Sequence, residues 1–379
     1  MYFKINKYNL IRNLALLCIA GNMVGWLFPF PHVVWRVSLV LLALYVVLFE
    51  SGKLLLCEKA LLFFAIFNLL HFFVSLLWQT PSTTQIGNIL YALLPFSLFV
   101  CLSEKSVITE RFIFVMGIVL LITSILHYYH YERMALIMIR DEDTDITNNA
   151  SVAFLMLLPL LFLMKNNIQK WGSLMVCIFF LVMGAKRGNL LAAVIPLVLF
   201  VYASLKNSRR SVLKTILVLA VIIGAAFITY RWVMNNEYLL YRVEKTQAGN
   251  SSGRDAIYSH AWHIWYDSDN FLQLLFGLGF DATLHHPMME GFHAHCDWLE
   301  ILVDYGLLGI LLYLFVFIIL ALQIRKVKTF DLKMALLSSF FIWFLKSIYS
   351  MGFTGETLSV MMISMGTALG NYKRGEEIV

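Results

Sequence analysis

Long runs of apolar residues recur along the whole chain and are separated by short polar segments. A transmembrane helix needs about 20 predominantly apolar residues, whereas the strands of a membrane barrel alternate apolar and polar positions over about 10 residues. The runs have the helical length and lack the alternation. The pattern therefore predicts an all-α fold, a polytopic membrane helical bundle. The predicted spans are residues 13–29, 33–50, 54–78, 85–103, 112–130, 149–164, 171–185, 188–205, 212–232, 297–323, 331–350 and 355–371, or about 12 transmembrane helices.

Composition and charge fit this class and set an orientation. The chain is 60% hydrophobic and 14% charged, which excludes a soluble globular protein. An even number of spans puts both termini on one side, and most of the 29 Lys and Arg residues fall in the tails and loops of that side. That side is therefore predicted to be cytoplasmic. Because topology accounts for the net charge of +6, no nucleic-acid partner is predicted.

Two exoplasmic insertions interrupt an otherwise single integral membrane domain of residues 1–379. The first, about 131–148, contains an acidic run from Arg140 to Asp145 and is predicted to be a solvated loop. The second, about 233–296 between helices 9 and 10, is far longer than a usual connection, and such loops commonly carry function. No internal repeat is evident, and of the five cysteines only Cys296 is predicted to face the exoplasm.

The long loop is predicted to contain a helix that starts at residues 251–255 and ends near Tyr266. Ser252 is the expected N-cap and Asp255 the acid of a capping box. Apolar residues recur at helical spacing and predict a face suited to the membrane interface, with packing favoured over a sugar platform. Those residues are Ile257, Tyr258, Ala261, Trp262 and Trp265.

Three cations occupy places where positive charge is unusual. Lys186 and Arg187 lie in a glycine-flanked turn, residues 184–189, at the exoplasmic face where basic residues are normally depleted. Arg254 stands in the first turn of the predicted loop helix, where it opposes the helix dipole unless an anion is bound. The three predict a phosphate site. Snorkelling of Lys186 and Arg187, and an ion pair between Arg254 and Asp255, are the competing explanations.

His295 directly precedes the tenth span, where an imidazole can accept a proton near neutral pH. Asp297, Glu300 and Asp304 share one face of the following helix and are expected to orient a histidine or to pair with the arginines. His293 belongs to the same orienting or acceptor-side group. Although six of the ten histidines lie in the long loop, the spacing of a zinc site is missing, so neither a metal nor another cofactor is predicted.

These motifs together resemble the O-antigen ligase and polymerase superfamily of bacterial surface-polysaccharide assembly, the Wzy-C family. Two positions depart from the family pattern: Cys296 replaces a common asparagine, and Lys186 replaces a small hydroxyl residue. The resemblance rests on Gly184-Ala-Lys-Arg-Gly188, Gly253-Arg254 with Trp262, Gly277-Leu-Gly279, His295 ahead of Leu299, and Asp304-Tyr-Gly-Leu-Leu-Gly309.

The resemblance implies a metal-independent glycosyltransferase in the bacterial inner membrane, with its active site facing the periplasm. Such an enzyme transfers glycan from an undecaprenyl diphosphate donor to an acceptor hydroxyl on another glycan or on the lipid A core. By resemblance, Arg187 and Arg254 bind the diphosphate, Lys186 adds a phosphate contact and His295 is the base. Membrane lipids and other polysaccharide-assembly proteins are the further expected partners.

Three alternatives stay open on the sequence. Polymerase is slightly favoured over ligase because acids outnumber bases in the long loop, where a phosphorylated lipid A core would approach. A lipid-linked polysaccharide flippase or transporter is less favoured because the unusual charges gather at one surface and no related halves are evident. A non-catalytic membrane partner is the third, and it requires His295 to be dispensable.

Overall fold

A computed structural model describes residues 6–28, 31–138, 148–184, 186–206, 231, 253–355 and 357–375. All regular structure within these ranges is helical, as the sequence predicts. Seven helices are long and apolar enough to cross a membrane, so the protein is an integral membrane protein. The predicted span 212–232 lies outside the described residues except for Arg231, and the count of twelve stays a prediction.

The first half of the chain forms a series of apolar helices. The helix that begins at Glu110 continues to Met138, past the predicted start of the first insertion at about residue 131. The acidic run from Arg140 to Asp145 lies outside the described residues. The helices are α1 (Lys7–Met23), α2 (His32–Tyr45, continued by a π turn Val46–Glu50), α3 (Leu56–Ser75), α4 (Thr83–Leu93), α5 (Pro95–Glu104), α6 (Glu110–Met138), α7 (Val152–Leu157, continued by a 3-10 turn Leu158–Leu163), α8 (Asn167–Met183) and α9 (Arg187–Lys206).

The second half contains the loop helices and the C-terminal spans. The loop helices are α10 (Arg254–Tyr266), α11 (Phe271–Phe276) and α12 (Ala282–His285), and the later helices are α13 (Asp297–Lys326), α14 (Phe330–Tyr349) and α15 (Leu358–Arg374). Helix α15 packs closely on α5: a Cβ at Gly366 would lie 2.4 Å from the Phe96 carbonyl oxygen. Only glycine permits this approach of two helix backbones.

A packed aromatic core fixes α14 against α13. Trp343 is fully buried, and its ring contacts Tyr313 and Phe317 of α13. Trp298, near the start of α13, also stacks on Phe317 and donates a hydrogen bond to Ser347 Oγ at 3.0 Å. These contacts hold the C-terminal end of α14 beside the N-terminal end of α13, which is where the candidate site lies.

Helix α13 is interrupted at Gly306, whose backbone (φ 64°, ψ −159°) is not helical. Carbonyl groups freed by such a break need new donors. The Val303 and Asp304 carbonyls accept hydrogen bonds from the amides of Leu278 (2.8 Å) and Gly279 (3.0 Å). A Cβ at Gly277 would lie 2.3 Å from the Asp304 carbonyl oxygen, so two of the family-like motifs are one structural unit.

Candidate functional site

Three chain segments meet at one end of the bundle and bring the predicted cations together. Helix α9 begins at Arg187, and its next residue, Gly188, lies against Tyr349 at the end of α14. Arg254, the first residue of α10, donates a hydrogen bond from Nη1 to the Tyr349 carbonyl oxygen at 3.0 Å. The starts of α9 and α10 therefore converge on the end of α14. The side chain of Arg187 lies outside the described part of the structure.

Lys186 is partly buried beside Arg254. Its Nζ donates a hydrogen bond to Asn149 Oδ1 at 2.8 Å, which places the ammonium over the start of the segment leading into α7. Burial, and then the positive charge of Arg254, lower the pKa of Lys186 to about 8. A partly buried ammonium beside a second positive charge is stabilised in its charged form when an anion binds between the two. The pair therefore has the electrostatics of an anion site.

Lys346 is a third cation at this place, and it is not among the residues predicted for the site. It lies in the last turn of α14, is only 4% exposed, and interacts electrostatically with Lys186, Arg254 and Asp297. Among the described residues it forms no ion pair within 4 Å. A lysine inside the predicted span 331–350 was a signal available in the sequence, because intramembrane charges usually mark functional sites.

His295 lies at the edge of this cation group. Its side chain is exposed, and its backbone has a left-handed φ of 52°, which is uncommon for a residue other than glycine. Partial desolvation, and then the charge of Arg254, lower the pKa of His295. Tyr258 Oη donates a long hydrogen bond of 3.5 Å to the His295 carbonyl oxygen. The imidazole is thus held neutral and accessible beside Arg254.

Glu300 organises the segment that carries His295. Its carboxylate accepts hydrogen bonds from Thr283 Oγ1 (2.5 Å), the Ala294 amide (2.7 Å) and His293 Nδ1 (2.7 Å). Burial alone would lower the pKa of His293, but the hydrogen bond to Glu300 and the charges of Glu300 and Asp281 raise it. The expected orientation of a histidine by an acid of this face is therefore made by Glu300 with His293.

Asp281, His293 and Glu300 also lie close enough to hold a metal ion, with ligand atoms within 4.8 Å of one another. The Glu300 oxygens already accept three protein donors, and the His293 ring nitrogen that faces them is one of those donors. This hydrogen bonding favours a structural role, in which Glu300 holds the loop residues Thr283, His293 and Ala294 in place. The absence of a metal from the reaction stays a prediction.

Asp297 and Asp304 bind backbone amides, and neither pairs with Arg254. Asp297 is fully buried and accepts from the amides of Gly352 (2.7 Å) and Phe353 (3.2 Å) and from Tyr313 Oη (2.8 Å). Asp304 accepts from the amides of Asp281 (3.1 Å) and Thr283 (3.2 Å). The predicted pairing of these acids with the arginines is not seen for Arg254, because backbone donors occupy both carboxylates.

The loop helix α10 starts at Arg254, and part of its apolar face packs inside the protein. Its N-cap is Gly253, with φ 77° and no side-chain cap; Ser252, the predicted N-cap, lies outside the described residues. Ala261 and Ile264 are buried against Met289 and Ala294 of the loop and Val303 of α13. Trp262 remains 45% exposed.

Cys296 and Trp298, at the start of α13, are turned into the protein. Cys296, which is predicted to face the exoplasm, is the N-cap of α13 and is buried like the other four cysteines. Trp298 packs inside the bundle on Tyr313 and Phe317. Both residues adjoin the buried Asp297, and the helix start that this acid anchors draws them inside.

Comparison with known proteins gives one family. Residues 172–314 match the family model Wzy_C, described as O-Antigen ligase. The matched segment includes Lys186, Arg187, Arg254 and His295, together with the Gly277 and Gly306 turns, and it ends before Lys346. No curated protein matches the chain.

Proposed function

We propose that the chain, whose residues 172–314 match the O-antigen ligase family, transfers glycan from an undecaprenyl diphosphate donor to an acceptor hydroxyl. The observation that carries this proposal is the convergence of Lys186, Arg254 and Lys346 beside His295. Among the described residues, Asp297 is the one carboxylate that interacts electrostatically with Lys346, and it is already bound by two amides. The excess positive charge suits a diphosphate.

The chemistry needs a base on one side of the anomeric carbon and cations on the other. The acceptor oxygen forms a bond to that carbon while the bond to the diphosphate oxygen breaks, and the electron pair leaves with the diphosphate. His295 takes the acceptor proton, and Lys186, Arg254 and Lys346, with Arg187, neutralise the departing charge. The lowered pKa of His295 keeps the imidazole in the neutral form that a base requires.

Transport of the donor fits the site less well than transfer. Discontinuous helices in transporters leave backbone groups free to bind a substrate or an ion near the middle of the membrane. Helix α13 is discontinuous at Gly306, but its Val303 and Asp304 carbonyls bind the amides of Leu278 and Gly279. The break therefore serves loop packing, and the cations lie at one end of the spans. The exposed imidazole of His295 beside these cations favours transfer, because transfer needs a base.

Lys186 predicts a pH dependence of donor binding. Its pKa of about 8 means that the ammonium charge is lost as the pH rises through that value. We expect KM for the donor to rise above about pH 8, with a smaller effect on kcat. In Lys186→Arg the charge persists at all working pH values, so the rise should disappear. Since Lys346 is present in both proteins, an alkaline rise of the same size in Lys186→Arg would contradict the assignment.

We favour a polymerase over a ligase that acts on the lipid A core. The described loop surface carries Asp267, Asp269 and Glu290, all exposed, which disfavour a phosphorylated core. Deletion of the gene in its host should then leave single repeat units on the acceptor. A bare acceptor, with full-length glycan stranded on the lipid carrier, would identify a ligase. Gel analysis of extracted lipopolysaccharide and lipid-linked glycan distinguishes the two outcomes.

A further inference from the structure

A polar cleft of about 660 Å³ lies between the end of α10, helix α11 and the segment that follows α12. Its apolar residues include Ile264, Leu278 and Met288, and its polar residues include Asp267, Asp269 and Gln273. The cleft belongs to the loop that precedes α13 and lies outside the candidate membrane spans. None of its residues takes part in the diphosphate and base site.

One exposed aromatic residue lines this cleft, and two more lie on the helix beside it. Phe271, which lines it, is 68% exposed. On the neighbouring row of α10, Trp262 and Tyr266 stack with ring centroids 5.9 Å apart and planes 15° apart, and both are exposed. An exposed group of large aromatic side chains generally marks a binding surface. Aromatic and apolar surfaces pack against the C–H faces of sugar rings, as they do against other apolar groups.

Polar groups in the cleft have hydrogen-bonding capacity to spare. Asp269 is exposed and carries two acceptor oxygens, and Gln273 uses its Oε1 to accept from Ser268 Oγ at 2.7 Å. His286 uses Nδ1 to accept from the Met288 amide at 3.3 Å, which leaves its second ring nitrogen for another partner. Carboxylates and amides on a partly apolar surface suit a ligand with many hydroxyl groups. The acids make the cleft a poor match for an anionic lipid surface.

Helix α10 connects the cleft to the proposed reaction site. Arg254 begins the helix and His263 lines the cleft, so nine residues at about 1.5 Å each place the two about 14 Å apart along the helix axis and, at about 3.6 residues per turn, on opposite sides of the helix. The exposed Trp262 and Tyr266 lie between these two sides. A glycan that reacts at His295 therefore reaches the cleft by passing around α10 over these two rings, a path of several sugar residues.

We propose that this cleft is a glycan subsite that binds a sugar of the acceptor a few residues from its reacting end, a proposal that rests on the proposed function. Because Asp269 lines it, with Asp267 hydrogen-bonded to His263, the subsite takes a neutral or amino sugar and rejects an acidic one. The enzyme should therefore use acceptors several sugars long, which reach the cleft, at lower concentrations than acceptors of one or two sugars, which do not reach it. Contacts of this kind, which lie away from the reacting atoms, act mainly on acceptor binding and therefore on KM.

The test compares acceptors of one or two sugars with acceptors several sugars long, both prepared from the host glycan, in the purified transfer assay. Phe271→Ala should reduce the preference for the long acceptor about tenfold, through KM, because the lost aromatic contact is of that order. Phe276→Ala is the matched control: it is 46% exposed on the same short helix, α11, but does not line the cleft. It should keep the wild-type preference.

Direct binding separates failure of the subsite from failure of the proposed function. Saturation-transfer NMR with the free long glycan should give a signal with the wild type and with Phe276→Ala, and a weaker one with Phe271→Ala. An unchanged preference and an unchanged signal in Phe271→Ala would overturn the subsite. So would a loss of binding to anionic lipid vesicles with no change in glycan binding, since the aromatics would then serve the membrane. If no acceptor supports transfer by the wild type, the proposed function itself fails.

Discussion

His295→Ala is expected to lower kcat for glycan transfer by about 10²–10⁴-fold, the usual contribution of a general base. The imidazole is exposed beside Arg254, and both desolvation and that charge keep it neutral. Arg254→Ala should cause a loss of similar size, and Arg254→Lys should restore little, because a lysine cannot make the two parallel hydrogen bonds of a guanidinium to phosphate. Release of the lipid diphosphate by the purified variants is the measurement.

The matched control is His260→Ala, since His260 is an exposed histidine on α10, two turns from Arg254. It should retain wild-type activity. Full activity of His295→Ala, with the protein present in the membrane at the wild-type level, would remove the base from the proposal. Loss of activity in His260→Ala as well would indicate that the loop does not tolerate substitution. The loss in His295→Ala would then not identify His295 as the base.

Asp297→Ala is expected to cause the largest loss of stability. Three donors lose their acceptor: the Gly352 and Phe353 amides and the Tyr313 hydroxyl, all buried. Each unsatisfied buried donor costs about 1–3 kcal/mol, so a loss of roughly 3–5 kcal/mol in the free energy of unfolding is expected. The segment after α14 should detach from the start of α13. Thermal unfolding in detergent should show a markedly lower Tm.

Asp331→Ala is the control for this change, because Asp331 is also a first-turn acid of a span but is exposed. Its Tm should stay close to that of the wild type. Asp297→Asn keeps one acceptor oxygen and should fall between the two, and it provides the measurement if Asp297→Ala does not accumulate. A Tm of Asp297→Ala equal to that of Asp331→Ala would show that the three hydrogen bonds do not hold this end of the bundle.

The helical class and the gathering of cations were predictable because both depend on local sequence. Apolar run length alone predicts spans. Basic residues on the depleted side of a membrane are unusual wherever they occur, and this signal picked out Lys186. The same rule, applied inside the spans, would have found Lys346. Its position near the end of α14 made it resemble an interfacial lysine, and only the packing of α14 against α9 and α10 shows that it is buried.

Features that depend on distant contacts were not predictable. The turn at Gly277 and the break at Gly306 lie almost 30 residues apart, and each glycine is needed because the other segment approaches its backbone. The burial of Cys296 and Trp298 is a second case, because it depends on Asp297 between them, whose carboxylate binds the distant amides of Gly352 and Phe353. The N-cap of α10 shifted because Gly253 adopts a left-handed backbone.

The most direct test of glycan transfer uses the purified protein in lipid vesicles, with a lipid-linked glycan donor and a glycan acceptor in the same compartment. Lipid diphosphate should be released in equal amount to a new glycosidic product, and Arg254→Ala should abolish both. Movement of the intact donor across the bilayer without release of lipid diphosphate would contradict glycan transfer and would identify a transporter.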